Sequence, residues 1–471
     1  MKSVTLRGLR HMLWPSSSDG PKQLRPTAYL DGLRGFAAFL VYIHHHQLWA
    51  HSVGQWRTFE SGFGSRGEYY FASFPFIRNF FTGGHMAVAC FFIISGYVLA
   101  LKPLSLIHAG EHLKLLDNLA SAFFRRWFRL FIPLIVTTLT YVISWHVFGY
   151  WNAACEAKGT LGEELWNWYV EFKNFSYLYK EGWLFPSYNT HLWSIALEMR
   201  GSIVVFIACA ALSRATHQAR LLCLAGLAYY YLYIVDGFYC ALFMSGMLQC
   251  DLDLLAKRDG YFPRWLRRLE PYKTAIFYAV FTIGSFLAGV PSFSKEMKDL
   301  EENPGWYWLA QLKPQAVFDY KWFYLFLGGN MIVASAGRLG WLKRFFESRF
   351  CQHLGRISFA LYLVHGPVLN VVGDRLYYIV GFIRDASDRH EKIAHWANLF
   401  PLPMNKPMGL ELAFLLPNLI LLPLTLWVAD VVTRTVDDPT VKFAAWLYKR
   451  IQRDGNAEQK PVALAPLTRV E

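Results

Sequence analysis

Arg34 and His45 lie on one apolar stretch, Tyr29 to Trp49, which reads YLDGLRGFAAFLVYIHHHQLW. They are eleven positions apart, and at about 100° per residue a helix returns over that interval to within roughly 20° of the same face. A rise of about 1.5 Å per residue puts His45 roughly 16 Å deeper than Arg34, near the middle of a hydrocarbon core of roughly 30 Å. An ionisable group at the bilayer midplane marks a functional site by default. An imidazole there can serve as a general base, because its ordinary pKa lies near neutrality, or it can be acylated as a nucleophile. His44 and His46 point about 80° and 120° away from the Arg34–His45 stripe.

Three further groups have types and spacing suited to the same site. Arg125, Arg126 and Arg129 end a basic loop just before an apolar run that begins at Leu130. Arg126 and Arg129 are i, i+3 neighbours on one helical face, and paired guanidiniums at a membrane mouth can grip phosphate oxygens in bidentate fashion. The same residues also suit anchoring to lipid phosphate. His191, Ser194 and Glu198 in THLWSIALEMRG fall at i, i+3 and i+7 on one face, with Glu198 about 12 Å in from the mouth of its span. Arg200 projects from roughly the opposite face. Ser358, Tyr362 and His365 make a similar stripe. A single histidine on an apolar helix is more often a hydrogen-bonded packing residue, but His45, Glu198 and His365 at comparable depths on different spans point to one shared site.

The elements that position these residues are membrane-length helices. With 54% hydrophobic and 17% aromatic residues and a mean hydropathy of +0.21, the 471 residues read as an all-α polytopic membrane protein. Apolar runs at about 35–50, 81–101, 130–149, 190–213, 221–235, 237–256, 274–290, 322–337, 355–373 and 409–432 predict about ten transmembrane helices. The two runs 221–235 and 237–256 also read as one hairpin divided at Asp236-Gly237. With the amino terminus placed in the cytoplasm, 31 of the 47 Lys and Arg fall in inside segments, so both termini are expected to be cytoplasmic. The net charge of +13 flanks the apolar spans instead of covering a polar face, which excludes a nucleic-acid-binding surface. Seven scattered cysteines lack metal-ligand spacing, so neither a disulfide framework nor a metal site is expected. Residues 1–28 read as a cytoplasmic basic tail that could form a short interfacial helix, with a mitochondrial presequence as the competing reading. The aromatic loop WNWYVEFKNFSYLY reads as an interfacial belt or as the lining of an acceptor cleft.

With these motifs in view, the chain resembles the membrane-bound acyltransferase-3 family. LDGLRGFAAFLVYIHH is similar to the family's opening span with its Arg-x10-His pattern, matched by Arg34 and His45. Gly83, Gly84, Phe91, Phe92, Ser95 and Gly96 match its second span, and Arg126-x-x-Arg129 before Leu130 and Pro133 matches its RxxR element. Trp193-Ser194-x-x-x-Glu198 and Gly355 to Pro367 resemble later motifs, so the likeness covers about residues 29–435. After Glu198 the chain reads MRGS where bacterial members commonly have Gln-Phe-Tyr, which suggests the fungal type and leaves the partner of Glu198 open. Residues 436–471 read as a cytoplasmic tail, too short for the fused hydrolase-like domain of some members, so a second transfer step is not expected.

The resemblance implies an O-acyltransferase that takes an acyl group, most often acetyl, from cytoplasmic acyl-CoA to a hydroxyl of a carbohydrate, lipid or small natural product. Acyl-CoA is then a co-substrate, and no bound cofactor is expected. Arg34, Arg126 and Arg129 would hold the CoA phosphates, and His45 would act as base or acyl carrier. Glu198 would orient His45 or the acceptor, and His191, Ser194, Tyr362 and His365 would line an acceptor or proton path. The rival reading is a proton-coupled transporter of a polar metabolite, which buried His and Glu on several helices also suit. A receptor or scaffold would explain the aromatic loops but not charges at mid-depth.

Overall fold

Tyr29 to Trp49 forms the body of helix α1 (Ala28–Ala50). The computed structural model describes residues 24–51, 59–152, 156–178, 182–258, 263–383, 391–405 and 408–452; the possible interfacial helix in 1–23 lies outside them. Among the described residues the regular elements are helical and there is no strand. After α1 come α2 (Gly84–Ala109), α3 (His112–Phe148), α4 (Leu161–Ser176), α5 (Trp193–Ala211), α6 (His217–Tyr233), α7 (Phe238–Ala256), α8 (Lys273–Ala288), α9 (Tyr320–Ala336), α10 (Arg349–Val368), α11 (Asp374–Val380), α12 (Leu412–Val432) and α13 (Asp438–Ile451).

All ten apolar windows are helical. Among the described residues, six helical stretches are long and apolar enough to cross a membrane: Gly84–Ala109, His112–Phe148, Thr190–Ala211, Phe238–Ala256, Arg349–Val380 and Leu412–Ile451. Helices α6, α8 and α9 are 17, 16 and 17 residues long. Helix α1 has 23 residues, but Asp31, Arg34 and its histidines dilute its hydropathy. Length and composition therefore count six crossings where the sequence predicts ten. The 221–256 region is a pair of packed helices, α6 and α7, separated by a turn in which Asp236 has φ 50°.

Two boundaries differ from the hydropathy reading. The loop expected over 102–129 is nearly absent: α2 runs through Pro103 to Ala109 and stops at Gly110, whose φ of 74° breaks the helix. Helix α3 begins at His112 and continues for 37 residues. Arg125, Arg126 and Arg129 therefore lie inside a helix, not in a loop. Its amino-terminal half is polar on one side and packs the other against α13, so hydropathy alone cut it short. Beyond α12, a π-helical turn, Thr433–Asp437, leads directly into α13. The expected tail thus begins as a helix lying along α3, antiparallel to it, with Phe124 near Tyr448 and Phe128 near Phe443.

Helix α2 sits centrally, packed on α1, α5, α7 and α9, while α1 packs closely on α10 and α10 on α12. The α1–α10 crossing sets the site, and two glycines allow it. A Cβ on Gly35 would lie 2.2 Å from the Gly355 backbone nitrogen, and one on Gly355 would lie 2.5 Å from the Asp31 carbonyl oxygen. The backbones themselves touch, so neither neighbour can yield. Gly35→Ala is expected to destabilise the protein by about 1–3 kcal/mol or more through overpacking, read as a lowered unfolding midpoint in detergent.

Outside the expected spans, WNWYVEFKNFSYLY contributes to α4, whose start is fixed by a capping box between Thr160 and Glu163. Its Trp166 is exposed, whereas Phe175 is buried in the core. Glu164 of α4 is fully buried and accepts hydrogen bonds from Tyr188 Oη (2.6 Å) and Lys158 N (2.6 Å).

Candidate active site

Three histidines from three elements meet beside the α1–α10 crossing. The ring centroids of His45 and His191 are 4.0 Å apart, those of His45 and His365 5.0 Å, and those of His191 and His365 4.9 Å. His45 comes from α1 and His365 from α10, whereas His191 belongs to a single 3-10 turn, Thr190–Leu192, that leads into α5. Gly366 makes room for it: a Cβ there would come within 2.5 Å of His191 Nδ1.

Backbone acceptors settle the neutral tautomers. His365 Nδ1 lies 2.8 Å from the Tyr362 carbonyl oxygen and 3.2 Å from that of Leu361. Carbonyls only accept, so this nitrogen carries the proton and Nε2 keeps its lone pair. His45 Nδ1 is 3.0 Å from the Val41 carbonyl oxygen and 3.2 Å from His365 Nε2. Both are acceptors, so His45 donates from Nδ1 and its Nε2 is left basic. The Asn189 amide donates to the Leu363 carbonyl (3.0 Å), which turns its oxygen toward His191 Nδ1 at 3.1 Å. The trio is thus held with its protons on Nδ1, that of His45 shared between the Val41 carbonyl and the lone pair of His365 Nε2.

Next to the trio stands a hydrogen-bonded pair. Tyr362 Oη donates to the His191 carbonyl and therefore accepts from Ser194 Oγ at 2.7 Å. Both residues line a cavity of about 350 Å³ that also contains Arg34, Ser95, Arg126, Arg129, Glu198 and Asp437. His45 does not line this cavity; the Ser194–Tyr362 pair closes it, and the Tyr362 ring centroid is 5.7 Å from that of His365.

The partners of Glu198, left open by the sequence, come from α3 and α2. Glu198 pairs with Arg126, the two side chains being 14% and 11% exposed, and it accepts from Ser95 Oγ at 2.5 Å. Arg126 Nε also donates to Ser202 Oγ at 2.9 Å. The residue hydrogen-bonded to the His45 ring is His365, not Glu198. Arg200 donates to the Tyr177 carbonyl at 3.2 Å, away from Glu198. Arg34 is held by Ser358 Oγ (3.1 Å), the Gly355 carbonyl (3.2 Å) and Asp31 (3.4 Å). Arg129 has no direct ion pair among the described residues, with Asp437 as an electrostatic neighbour. Of the three arginines it is the guanidinium most available to an anion.

Flanking histidines build a second polar cluster that the sequence reading lacks. His46 Nδ1 is 2.8 Å from Tyr377 Oη. His44 turns the other way, and His44, Glu60 and His85 bring ligand-type atoms within 4.8 Å of one another, as do His45, His191 and His365. Burial pushes the Glu60 carboxyl up to about 7, against the pull of Lys321 and Arg78. Cysteine spacing could not have revealed either cluster, because each is assembled from separate elements.

Residues 27–434 match the acyltransferase-3 family, described as an acyltransferase domain. The chain belongs to that family. This acyltransferase is 28% identical to the O-acetyltransferase PaAT-1 of Phomopsis amygdali, over 93% of the present chain and 87% of that protein. It is 22% identical to acyltransferase R4 of a Phoma species over 76% and 86%, and 21% identical to acyltransferase clz18 of Cochliobolus lunatus over 74% and 84%, respectively. No solved structure matches the acyltransferase. It is a multi-pass integral membrane protein by family and by its apolar helices.

Proposed function

We propose that the chain moves an acyl group, acetyl in the first instance, from a cytoplasmic acyl-CoA to a hydroxyl of a carbohydrate, lipid or small natural product. The observation that carries the reading is a cavity that holds Arg34, Arg126 and Arg129 and ends at Ser194 and Tyr362, whose hydroxyl donates to the backbone carbonyl of His191 and whose ring centroid is 5.7 Å from that of His365. The printed name of the Phomopsis amygdali relative supports acetyl as the group moved. Arg34, Arg126 and Arg129 face the anionic end of the donor, and the thioester lies toward Tyr362. His45 Nε2 takes the proton of the acceptor hydroxyl as its oxygen attacks the thioester carbonyl. The C–S bond then breaks, the ester forms, and the imidazolium returns its proton to the CoA thiolate. His365 holds His45 in the productive tautomer, and His191 lies on the acceptor side. The Arg126–Glu198 pair sets the wall along which the donor passes.

A second reading, proton-coupled transport, is favoured by one feature. Rings run from His85 to His44 to His45 to His365 at centroid separations of 5.2, 5.2 and 5.0 Å, an array suited to relaying protons. Purified protein in proteoliposomes separates the two. An acyltransferase releases free CoA thiol from acetyl-CoA in the presence of acceptor and moves no metabolite without it. Metabolite uptake without acetyl-CoA and without thiol release would overturn the transferase mechanism.

A further inference from the structure

The cavity that holds Arg34, Arg126 and Arg129 is too neutral and too small to take a whole acyl-CoA. Its four guanidiniums, counting Arg356, face three carboxylates, Glu198, Asp437 and Asp438. Arg126 is committed to Glu198, and Arg356 donates to Asp430 at 2.5 Å. Its volume of about 350 Å³ lies at the low end of the roughly 300–1,000 Å³ typical of ligand pockets. That volume suits a pantetheine arm. Coenzyme A, however, carries three phosphate groups and an adenosine.

A second cavity, of about 380 Å³, continues along the same two helices. The inner cavity uses Arg126, Arg129 and Leu130 of α3 with Asp438 and Val441 of α13. The outer one uses Lys114 to Arg125 of α3 and Ala445 to Lys449 of α13, with Lys102 from the end of α2. Because α3 and α13 run antiparallel, rising numbers on one and falling numbers on the other follow a single seam. The outer cavity has four cations, Lys102, Lys114, Arg125 and Lys449, against one carboxylate, Asp117. Lys114 is tied only to Glu111, in a pair whose lysine side chain is 71% exposed, so an incoming phosphate can recruit it at little cost. Arg125 spends its Nε on the Ser121 carbonyl (3.1 Å) and keeps its terminal nitrogens. Half-buried Tyr448 supplies an aromatic wall.

Resting on the acyl-CoA reading above, we propose that this outer groove seats the 3′-phosphoadenosine end of the donor, leaving the diphosphate beside Arg129 and the pantetheine arm in the inner cavity. Lys114 and Lys449 grip the 3′-phosphate, and Tyr448 packs on the adenine. From Lys114 to Arg129 the seam runs fifteen residues, or roughly 22 Å along α3, a length suited to an extended coenzyme. An anionic lipid headgroup offers the same phosphate chemistry, so the test must separate the two sources.

Affinities for acetyl-CoA and acetyl-dephospho-CoA, which lacks only the 3′-phosphate, are measured with purified protein in nanodiscs of neutral lipid and again with anionic lipid added. The wild type should prefer acetyl-CoA by about tenfold or more, as expected for charge-assisted phosphate contacts. In Lys114→Met/Lys449→Met that preference should vanish, with affinity for acetyl-dephospho-CoA unchanged, in both lipids. Both lysines are at the surface, and an unchanged affinity for the dephospho compound itself reports a folded variant. Equal binding of the two compounds by the wild type, or a preference that survives in the double variant, overturns this subsite while leaving the acyl-CoA reading intact. A double variant that changes only the retention of anionic lipid identifies a headgroup site and likewise overturns it. Failure to bind either compound overturns the acyl-CoA reading and this subsite with it.

Discussion

His45→Ala is expected to lower turnover by about 10²- to 10⁴-fold, the usual worth of a positioned general base, while acetyl-CoA binds as tightly as before. The separation of the two effects follows from the geometry. His45 does not line the cavity assigned to the donor, so its loss removes no contact with the coenzyme. What is lost is the one imidazole whose Nδ1 is pinned by both the Val41 carbonyl and His365, and hence a basic Nε2. Free-thiol release from acetyl-CoA, measured beside equilibrium binding of the labelled donor, reads both quantities. Full turnover by the variant would remove His45 from the chemistry. His365→Ala should give a smaller kcat loss, because it frees the His45 ring without deleting the base.

Arg126→Ala is expected to weaken donor binding and also to destabilise the fold. Removing the guanidinium leaves the Glu198 carboxylate, 14% exposed, without its charge partner, and a buried pair broken on one side typically costs about 3–5 kcal/mol. Against a total stability of about 5–15 kcal/mol this should appear as a clearly lowered melting temperature and reduced yield. The double variant Arg126→Met/Glu198→Met leaves neither charge stranded and should recover most of the stability. Donor affinity measured on the double variant then reports the contact of Arg126 with the coenzyme, free of misfolding. An Arg126→Ala protein as stable as the wild type would show that the pair is solvated and not the structural clamp described here.

The parts of the site that could be read from the chain are those that helical periodicity alone determines. Arg34 and His45 share a face of α1, and Ser358, Tyr362 and His365 share a face of α10, so stripe met stripe once the two helices packed: Arg34 on Ser358, His45 on His365. The orientation of His44 and His46 away from that face follows from the same arithmetic. Residues brought together by tertiary structure were not readable. Arg126 lies 72 positions from Glu198 in a segment whose polarity suggested a loop, and Ser95 meets the same carboxylate from a third helix. His191 belongs to the 3-10 turn before α5, and its approach to His45 depends on how that turn packs against α1 and α10. A signal for Ser202 was present, since it is i+4 from Glu198 on one face. Asp437, Asp438 and Lys449 lie past the last apolar run, where hydropathy has nothing to report. Helix α1 escaped the length-and-composition criterion because its polar groups are met by other helices, a compensation that summed hydropathy does not register.

The contact between Gly35 and Gly355 gives α1 a fulcrum. His45 sits ten residues, or roughly 15 Å, along the helix from that point, whereas Arg34 is adjacent to it. A tilt of about 5° about the glycines would swing the His45 ring by roughly 1.3 Å, enough to part it from His365, yet shift the Arg34 backbone by only a few tenths of an ångström. Leverage of this kind would part the deep end of the helix from His365 while leaving the Arg34 end nearly still.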